Sequence, residues 1–464
     1  MVFPNRIRLE QPLMNSVFQW VGVVFASLAF FFPMVWFISV DAAAWVGRAM
    51  FVLFLLGIGR KALPIYRDRV VQLCALLTLV VVIGYIWQCF SVPEELFNGS
   101  SARKFITAFC FFVVVAYGIN ATPRVSPFLL LISAGAGLLV HLWLVPTDVW
   151  LSGWRGKRMA FCFQNEGHAG VIVAAALLAS VLFLPRISSL PSRVRILVLP
   201  LLVSFILLMM FCVIATNTRA VWLGLLLSAI FLFLVYAVAL LTGHCSLRWR
   251  TLIRAATIGT GILLAGSVMI YFMGGSIIQR LSEETVDVAT IKEMVQLKTT
   301  PRSSVGVRVG SWVAAREWIA ERPVFGWGGD SASKLIKQSP HFDEDFKNSY
   351  GHLHNSYLET MVGVGGAAVV CMIAIAFLVA WRIVVAWHHR RMSTDVFLFS
   401  CTFFPFWVTV NIFESYIAFK SGAFLNAVIG GVVYSWYLRS QYDQFDPERD
   451  RTPPAIRNVK HTAP

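Results

Sequence analysis

Charge is scarce in this chain. Only 14% of its 464 residues are Asp, Glu, Lys or Arg, while 58% are apolar, against roughly 25% and 45–50% in soluble domains. So few charges cannot cover a water-exposed surface, which excludes a cytosolic enzyme or a secreted domain. Acids are the scarcer sign, 24 against 39 basic residues, for a formal net charge of +15. In a soluble chain that excess would point to nucleic acid; here most Lys and Arg flank apolar runs, and no nucleic-acid partner is expected. Cysteine is sparse too: the eight, at 74, 89, 110, 162, 212, 245, 371 and 401, lie almost all inside apolar runs with no metal-site spacing. Neither a disulfide framework nor a zinc site is expected, and the reading assigns no metal and no cofactor.

What is abundant is apolar sequence in stretches of about 20 residues, the length that crosses a bilayer as a helix. The mean hydropathy is +0.71. About twelve spans can be drawn, near 18–38, 42–58, 70–90, 105–120, 126–145, 167–185, 196–215, 220–242, 255–274, 356–381, 396–413 and 421–438. The expected fold class is an all-α polytopic membrane protein with one long hydrophilic loop. It divides into spans one to nine (1–275), a cap loop (276–354), spans ten to twelve (355–438) and a charged tail (439–464).

Cytoplasmic loops are enriched in Lys and Arg. Alternate loops carry Arg60 to Arg69, Arg124, Arg186 to Arg195, Arg248 to Arg254, and Arg390 with Arg391. Together with Arg6 and Arg8 these assign both termini to the cytoplasm, and the even span count agrees. Three outward segments then hold cations against the rule: Arg155, Lys157 and Arg158 in 146–166, Arg219 in the turn Thr216-Asn217-Thr218-Arg219, and Arg302 and Arg308 in the long loop. An anionic ligand is the direct reason for cations on that side, since guanidinium binds phosphate oxygens bidentately.

The long loop reads as a small folded cap. It contains a helix over Val309 to Glu321, with Trp312, Ala315 and Ile319 on one stripe and Pro323 beyond its end, then a glycine-rich turn, Phe325-Gly326-Trp327-Gly328-Gly329, read as a helix stop. The acidic run Asp343-Glu344-Asp345 reads as solvated surface. The sharpest motif is His352-Leu353-His354-Asn355-Ser356-Tyr357-Leu358-Glu359. Ser356 and Glu359 have capping-box spacing ahead of an apolar run, which puts His354 just before a helix N-terminus. The positive end of the dipole disfavours imidazolium there, as a general base requires. His352 and Asn355 stand beside it as supporting groups, though both histidines also fit interfacial side chains bonded to the backbone.

Taken in order, these features resemble the bacterial O-antigen ligase family: the outward basic stretch, the Arg219 turn, Arg308 … Trp312 … Glu321-Arg322-Pro323-Val324-Phe325-Gly326-Trp327-Gly328, and the His352–Leu358 motif followed by Gly363 and Gly365. O-antigen polymerases and O-oligosaccharyltransferases are its relatives. The segment Asn165-Glu166-Gly167-His168-Ala169 departs from the Asn-Pro-Asn-type pattern expected there. The resemblance implies a GT-C-like glycosyltransferase of the bacterial inner membrane, working on the periplasmic face without a metal ion. It would move O-antigen polysaccharide from undecaprenyl pyrophosphate to lipid A–core oligosaccharide. The family's functional Arg and His match Arg219, Arg308 (less closely Arg302) and His354. On that reading His354 is the base, and Arg219, Arg308, Arg158, Arg155, Lys157 and Arg302 hold the donor pyrophosphate. A polymerase extending the lipid-linked repeat is the alternative within enzymes; a transporter of lipid-linked sugar is the alternative outside them, disfavoured by the few mid-span charges and the lack of an internal repeat. The oligomeric state is not readable from the sequence.

Overall fold

In hydrocarbon every backbone N–H and C=O must be satisfied within its own segment, so long apolar runs become helices. The computed structural model describes residues 11–57, 65–97, 102–122, 125–241 and 304–442, and those residues contain helices and no strand. The helices are α1 (Gln11–Ile38), α2 (Val40–Leu56), α3 (Arg69–Ser91), α4 (Ala102–Asn120), α5 (Phe128–Trp143), α6 (Thr147–Trp154), α7 (Glu166–Phe183), α8 (Ser192–Thr216), α9 (Arg219–Leu241), α10 (Ser304–Glu321), α11 (Ser331–Gln338), α12 (Glu344–Ser349), α13 (Ser356–His388), α14 (Thr394–Phe413) and α15 (Lys420–Tyr442).

Eight of these are long and apolar enough to cross a membrane, and α5 with α6, bent by 92° at their junction, form a ninth candidate. The expected spans at 42–58 and 421–438 coincide with α2 and α15, which fall outside the eight, and the expected span at 255–274 lies outside the described residues. The architecture is thus all-helical and multi-pass, with eight such helices described against about twelve drawn from hydropathy. Small residues bring the helices close, as packing within lipid requires: Gly118 of α4 lies against Phe25 and Ala29 of α1, and Gly430 and Gly431 of α15 lie against Phe112 and Val115 of α4. The helix α9 packs along α14, and α3 along α13.

The described part of the cap, from 304, has its own core, in which Ala314, Ala315, Trp318, Trp327, Leu335, Ile336, Phe342 and Phe346 meet. Its main helix begins at Ser304, five residues before the expected Val309, because the apolar periodicity used to place it starts later than the helix does. Asp343 accepts from the Phe346 backbone N–H (2.7 Å) and caps α12, so the acidic run starts a helix.

The glycine-rich turn does more than stop α10. The backbone of Pro323–Gly328 pairs with an interruption in α13: Trp327 N–H donates to Val362 O (2.8 Å), Gly328 N–H to Gly363 O (2.9 Å) and Gly366 N–H to Pro323 O (2.8 Å). Gly365 sits at φ +77° inside α13, and a Cβ there would lie 2.2 Å from Val324 O, so the kink needs glycine for both dihedral and space. Buried Gln88 of α3 donates to Gly363 O (3.3 Å) and to Phe325 O, and Arg322 donates to Ser91 Oγ (2.9 Å), which fastens the cap to α3.

A second polar cluster lies toward the other end of α13. Asp68, almost fully buried, accepts from Val70 N–H (3.0 Å), Arg382 Nη1 (2.6 Å), Tyr117 Oη (3.0 Å) and Tyr434 Oη, tying α3, α4, α13 and α15 together.

Candidate active site

The helix α13 starts at Ser356, where the capping-box spacing placed it, but a different residue caps it. Asn355 is the N-cap, its side chain accepting from Tyr357 and Leu358 N–H (3.0 and 3.1 Å). Ser356 turns to donate to Asn411 Oδ1 and Glu414 O, and Glu359, buried, reaches back to accept from Leu353 N–H (2.8 Å). The capping-box expectation is corrected accordingly: Asn355 supplies the capping oxygen, and the Ser356 hydroxyl is engaged by Asn411 and Glu414.

The backbone just before the cap is pinned on both sides. Trp312 of α10 donates from Nε1 to Leu353 O (3.1 Å), and Asn355 N–H donates to Ser415 Oγ (3.2 Å). Between these anchors His354 adopts φ +49°, in the left-handed region, where a non-glycine residue carries strain. That conformation turns its ring toward His352, the two centroids being 4.0 Å apart.

Both rings meet one carboxylate. Glu414, directly after α14, takes His352 Nε2 on Oε1 (2.8 Å) and His354 Nδ1 on Oε2 (3.2 Å), and Ser415 N–H also donates to Oε1 (3.0 Å). A carboxylate accepting from Nδ1 assigns the His354 proton there and leaves Nε2 as the acceptor nitrogen. Nε2 is buried and has no hydrogen-bond partner among the described residues. Burial pushes the His354 pKa below the ordinary imidazole value, reinforced by His352 and Arg308 and only partly offset by Glu414. For His352 burial also works against the charged form, but the hydrogen bond and charge of Glu414 prevail and raise its pKa. Burial would likewise disfavour ionised Glu414, yet the two histidines hold its pKa well below the usual carboxylate range. The result is an ionised carboxylate, a histidine inclined to hold a proton and a neighbour inclined to give one up. Environments that push pKa values apart in this way mark acid–base assignments.

The cations approach from two sides. Arg308 of α10 donates from Nε to Phe413 O (3.0 Å), beside Glu414. Arg158, in the turn after α6, donates from Nε to Thr216 O (3.4 Å) and faces Glu166 Oε2 at 3.5 Å. Thr218 donates to Glu166 O (3.3 Å), and Arg219, half-buried, follows as the first residue of α9. Tyr416 joins the two groups: its hydroxyl packs over Gly167, and both Arg308 and Arg158 act on it electrostatically. The structure therefore brings Arg308, Arg158, His352 and His354 toward one carboxylate-centred region, with Arg219 attached through the α8–α9 turn. Arg155 ends α6 and Lys157 follows it, both exposed, and no described contact ties their side chains to the cluster. Arg302 lies outside the described residues.

The same three groups, His352, His354 and Glu414, offer donor atoms within 4.8 Å of one another, the one such grouping among the described residues and close enough to chelate a divalent ion. Glu414 itself was missed from the sequence, where it reads as one acid in the short loop 414–420 that satisfies the charge rule. The signal available was its position, directly after an apolar run and ahead of Tyr416. His168 was noted only as part of a departure from pattern; it is buried, bonded to Ser421 Oγ (2.5 Å), and packed edge-on to Tyr416.

A comparison with curated proteins gives no match. A family model described as O-Antigen ligase matches residues 202–373, a segment that contains Arg219, Arg308, His352 and His354, whereas Arg158 and Glu414 fall outside it. The chain is accordingly a multi-pass membrane protein whose residues 202–373 match the O-Antigen ligase family model, a match that supports an activity of the O-antigen ligase or polymerase type.

Proposed function

We propose that the chain is a ligase, an inverting glycosyltransferase that moves O-antigen polysaccharide from undecaprenyl pyrophosphate to a hydroxyl of lipid A–core oligosaccharide. It works on the periplasmic face of the inner membrane, with both termini cytoplasmic. The observation that carries this reading is the buried Nε2 of His354, without a partner among the described residues, on a ring whose other nitrogen is held by Glu414.

In the reaction His354 Nε2 takes the proton of the acceptor hydroxyl as its oxygen bonds to the donor's anomeric carbon. The bond from that carbon to the phosphate oxygen breaks, and undecaprenyl pyrophosphate leaves with the electron pair. Glu414 orients the ring and stabilises the imidazolium that forms, the part played by the carboxylate in hydrolase triads. Arg308, Arg158 and Arg219 hold the pyrophosphate and stabilise its growing charge, electrostatic help that is strongest at a low-dielectric membrane edge. Arg155, Lys157 and Arg302 serve as outer phosphate contacts. The acid–base array supplies the chemistry with no metal ion, so a chelator leaves the rate unchanged.

The test is the His354→Ala variant in cells and with purified donor and acceptor. Loss of polysaccharide on the lipid core, with long lipid-linked chains accumulating, is the expected result. Normal attachment would remove His354 from the base role, and accumulation of single lipid-linked repeats would make the protein a polymerase.

A further inference from the structure

The helix α13 has 33 residues, about 50 Å at 1.5 Å per residue, and the acid–base cluster occupies only its N-terminal end. At the other end a cavity of about 400 Å³ opens between α13 and α15, lined by Leu378, Trp381, Arg382, Val385, His389, Arg391 and Tyr437 among others. Its composition is divided. The deep wall is Arg382, already bonded to Asp68 and Tyr434 and stacked on Tyr437 at 4.9 Å. The rim is His389 and Arg391, both exposed. Among the described residues no acidic side chain lines it.

Two features show what such a cavity would take. The end of α13 closes on itself: Arg390, at φ +58°, lets Arg390 N–H reach Trp387 O (2.8 Å) and Arg391 N–H reach Ala386 O (2.8 Å). The last carbonyls are thus met by backbone, as in a left-handed C-cap, and the turn carries His389 and Arg391 at the cavity rim. The second feature is continuity. Val370, Ile373, Phe377, Trp381 and Val384 form one exposed apolar stripe along α13, and Trp381 belongs both to the stripe and to the cavity wall. An apolar stripe along a membrane-crossing helix that ends in a cationic rim matches an amphiphile with an anionic head.

We infer that this cavity binds the phosphate headgroup of an anionic membrane phospholipid from the leaflet opposite the acid–base cluster. Arg391 and His389 contact the phosphate, the Arg382–Asp68 pair closes the floor, and an acyl chain lies along the Phe377–Trp381 stripe. Clustered basic side chains at a helix end are an ordinary way to recognise anionic lipid. The lipid buttresses the contact between α13 and α15.

The test uses the full-length protein, delipidated in a neutral detergent and titrated with short-chain phosphatidylglycerol, phosphatidylcholine or inorganic phosphate, with binding read as a rise in the thermal unfolding midpoint. Phosphatidylglycerol should bind and phosphatidylcholine should not. The Arg391→Ala/His389→Ala double variant should bind about tenfold or more weakly, and Arg391→Lys should keep most of the affinity. Equal binding to the double variant, or equal binding of the two lipids, overturns the proposal. Inorganic phosphate binding as tightly as the lipid replaces the lipid with a free anion and overturns it as well. If the double variant fails to fold, a photoactivatable phosphatidylglycerol on the unaltered protein decides: labelling within 377–391 supports the site, and labelling elsewhere sinks it.

Discussion

The two ends of α13 carry two buried polar clusters built from similar parts, and they are finished differently. Asp68 is surrounded by donors from the α3 backbone, Tyr117, Tyr434 and Arg382, so its charge is met on every side. Glu414 is half-buried and also meets partners on both oxygens, but one of those partners, His354, leaves a buried nitrogen without a bond among the described residues. A saturated buried cluster rigidifies the helices that share it, whereas an unmet acceptor beside an ionised carboxylate holds capacity for a reacting proton. The difference also appears in the backbone. His354 is held at φ +49°, and strain that the surroundings maintain is characteristic of functional positions. Asp68, by contrast, is an ordinary extended N-cap at φ −74°.

That contrast yields variants expected to separate activity from stability. The largest effect falls on His354→Ala: transfer drops by about 10²–10⁴-fold, while the thermal midpoint falls little, since Glu414 keeps its bonds from His352 and Ser415. A parallel fall in both would make His354 structural. Next is Asp68→Ala, which leaves half-buried Arg382 and the Tyr117 and Tyr434 hydroxyls without their carboxylate and costs about 3 kcal/mol of stability; transfer per folded molecule, measured on detergent-purified protein, stays near the parent value. Glu414→Gln keeps the shape but loses the charge that stabilises imidazolium, and transfer falls by up to about 10⁴-fold with a smaller loss of stability. Gly365→Ala forces a side chain into the left-handed region and against Val324 O, costing about 1–3 kcal/mol and loosening the cap, which limited proteolysis of the 322–328 turn would detect.

The smallest effect is on the pH profile, where the sign follows from the site. His354 acts as the neutral base, and burial lowers its pKa. Transfer is therefore flat through neutrality and declines on acidification only beneath the ordinary imidazole range. In Glu414→Gln the groups that raise the His354 pKa are gone, so the decline moves to still lower pH. A decline at or above the ordinary imidazole value would assign the base elsewhere.

Much of the frame was legible in the sequence because it depends on local pattern. The apolar runs mark helices through hydropathy alone, and most drawn spans coincide with a described helix. Arg308 and His354 stood out because each breaks a local expectation, a cation on the outward side and an imidazole ahead of a helix start. Other features were illegible for physical reasons. Glu414 is 60 residues from His354 and reads as an unremarkable loop acid. That Asn355 and not Ser356 is the cap was illegible because the Ser356 hydroxyl's partners, Asn411 and Glu414, lie more than 50 residues away. The glycine turn looked like a stop signal because its partner, the break at Gly365, lies nearly 40 residues further along the chain.

By itself the sequence determined that this chain lives among lipids, that its helices run where they do, and that glycine stands at the two places where the cap meets α13. Hydrophobic length and backbone sterics are properties of short segments, so they can be read without the fold. Only the packing of α10, α13 and α14 decided which imidazole keeps a proton and which surrenders one. Proton affinity depends on the charges and dielectric within a few ångströms, and here those come from residues the chain order keeps far apart.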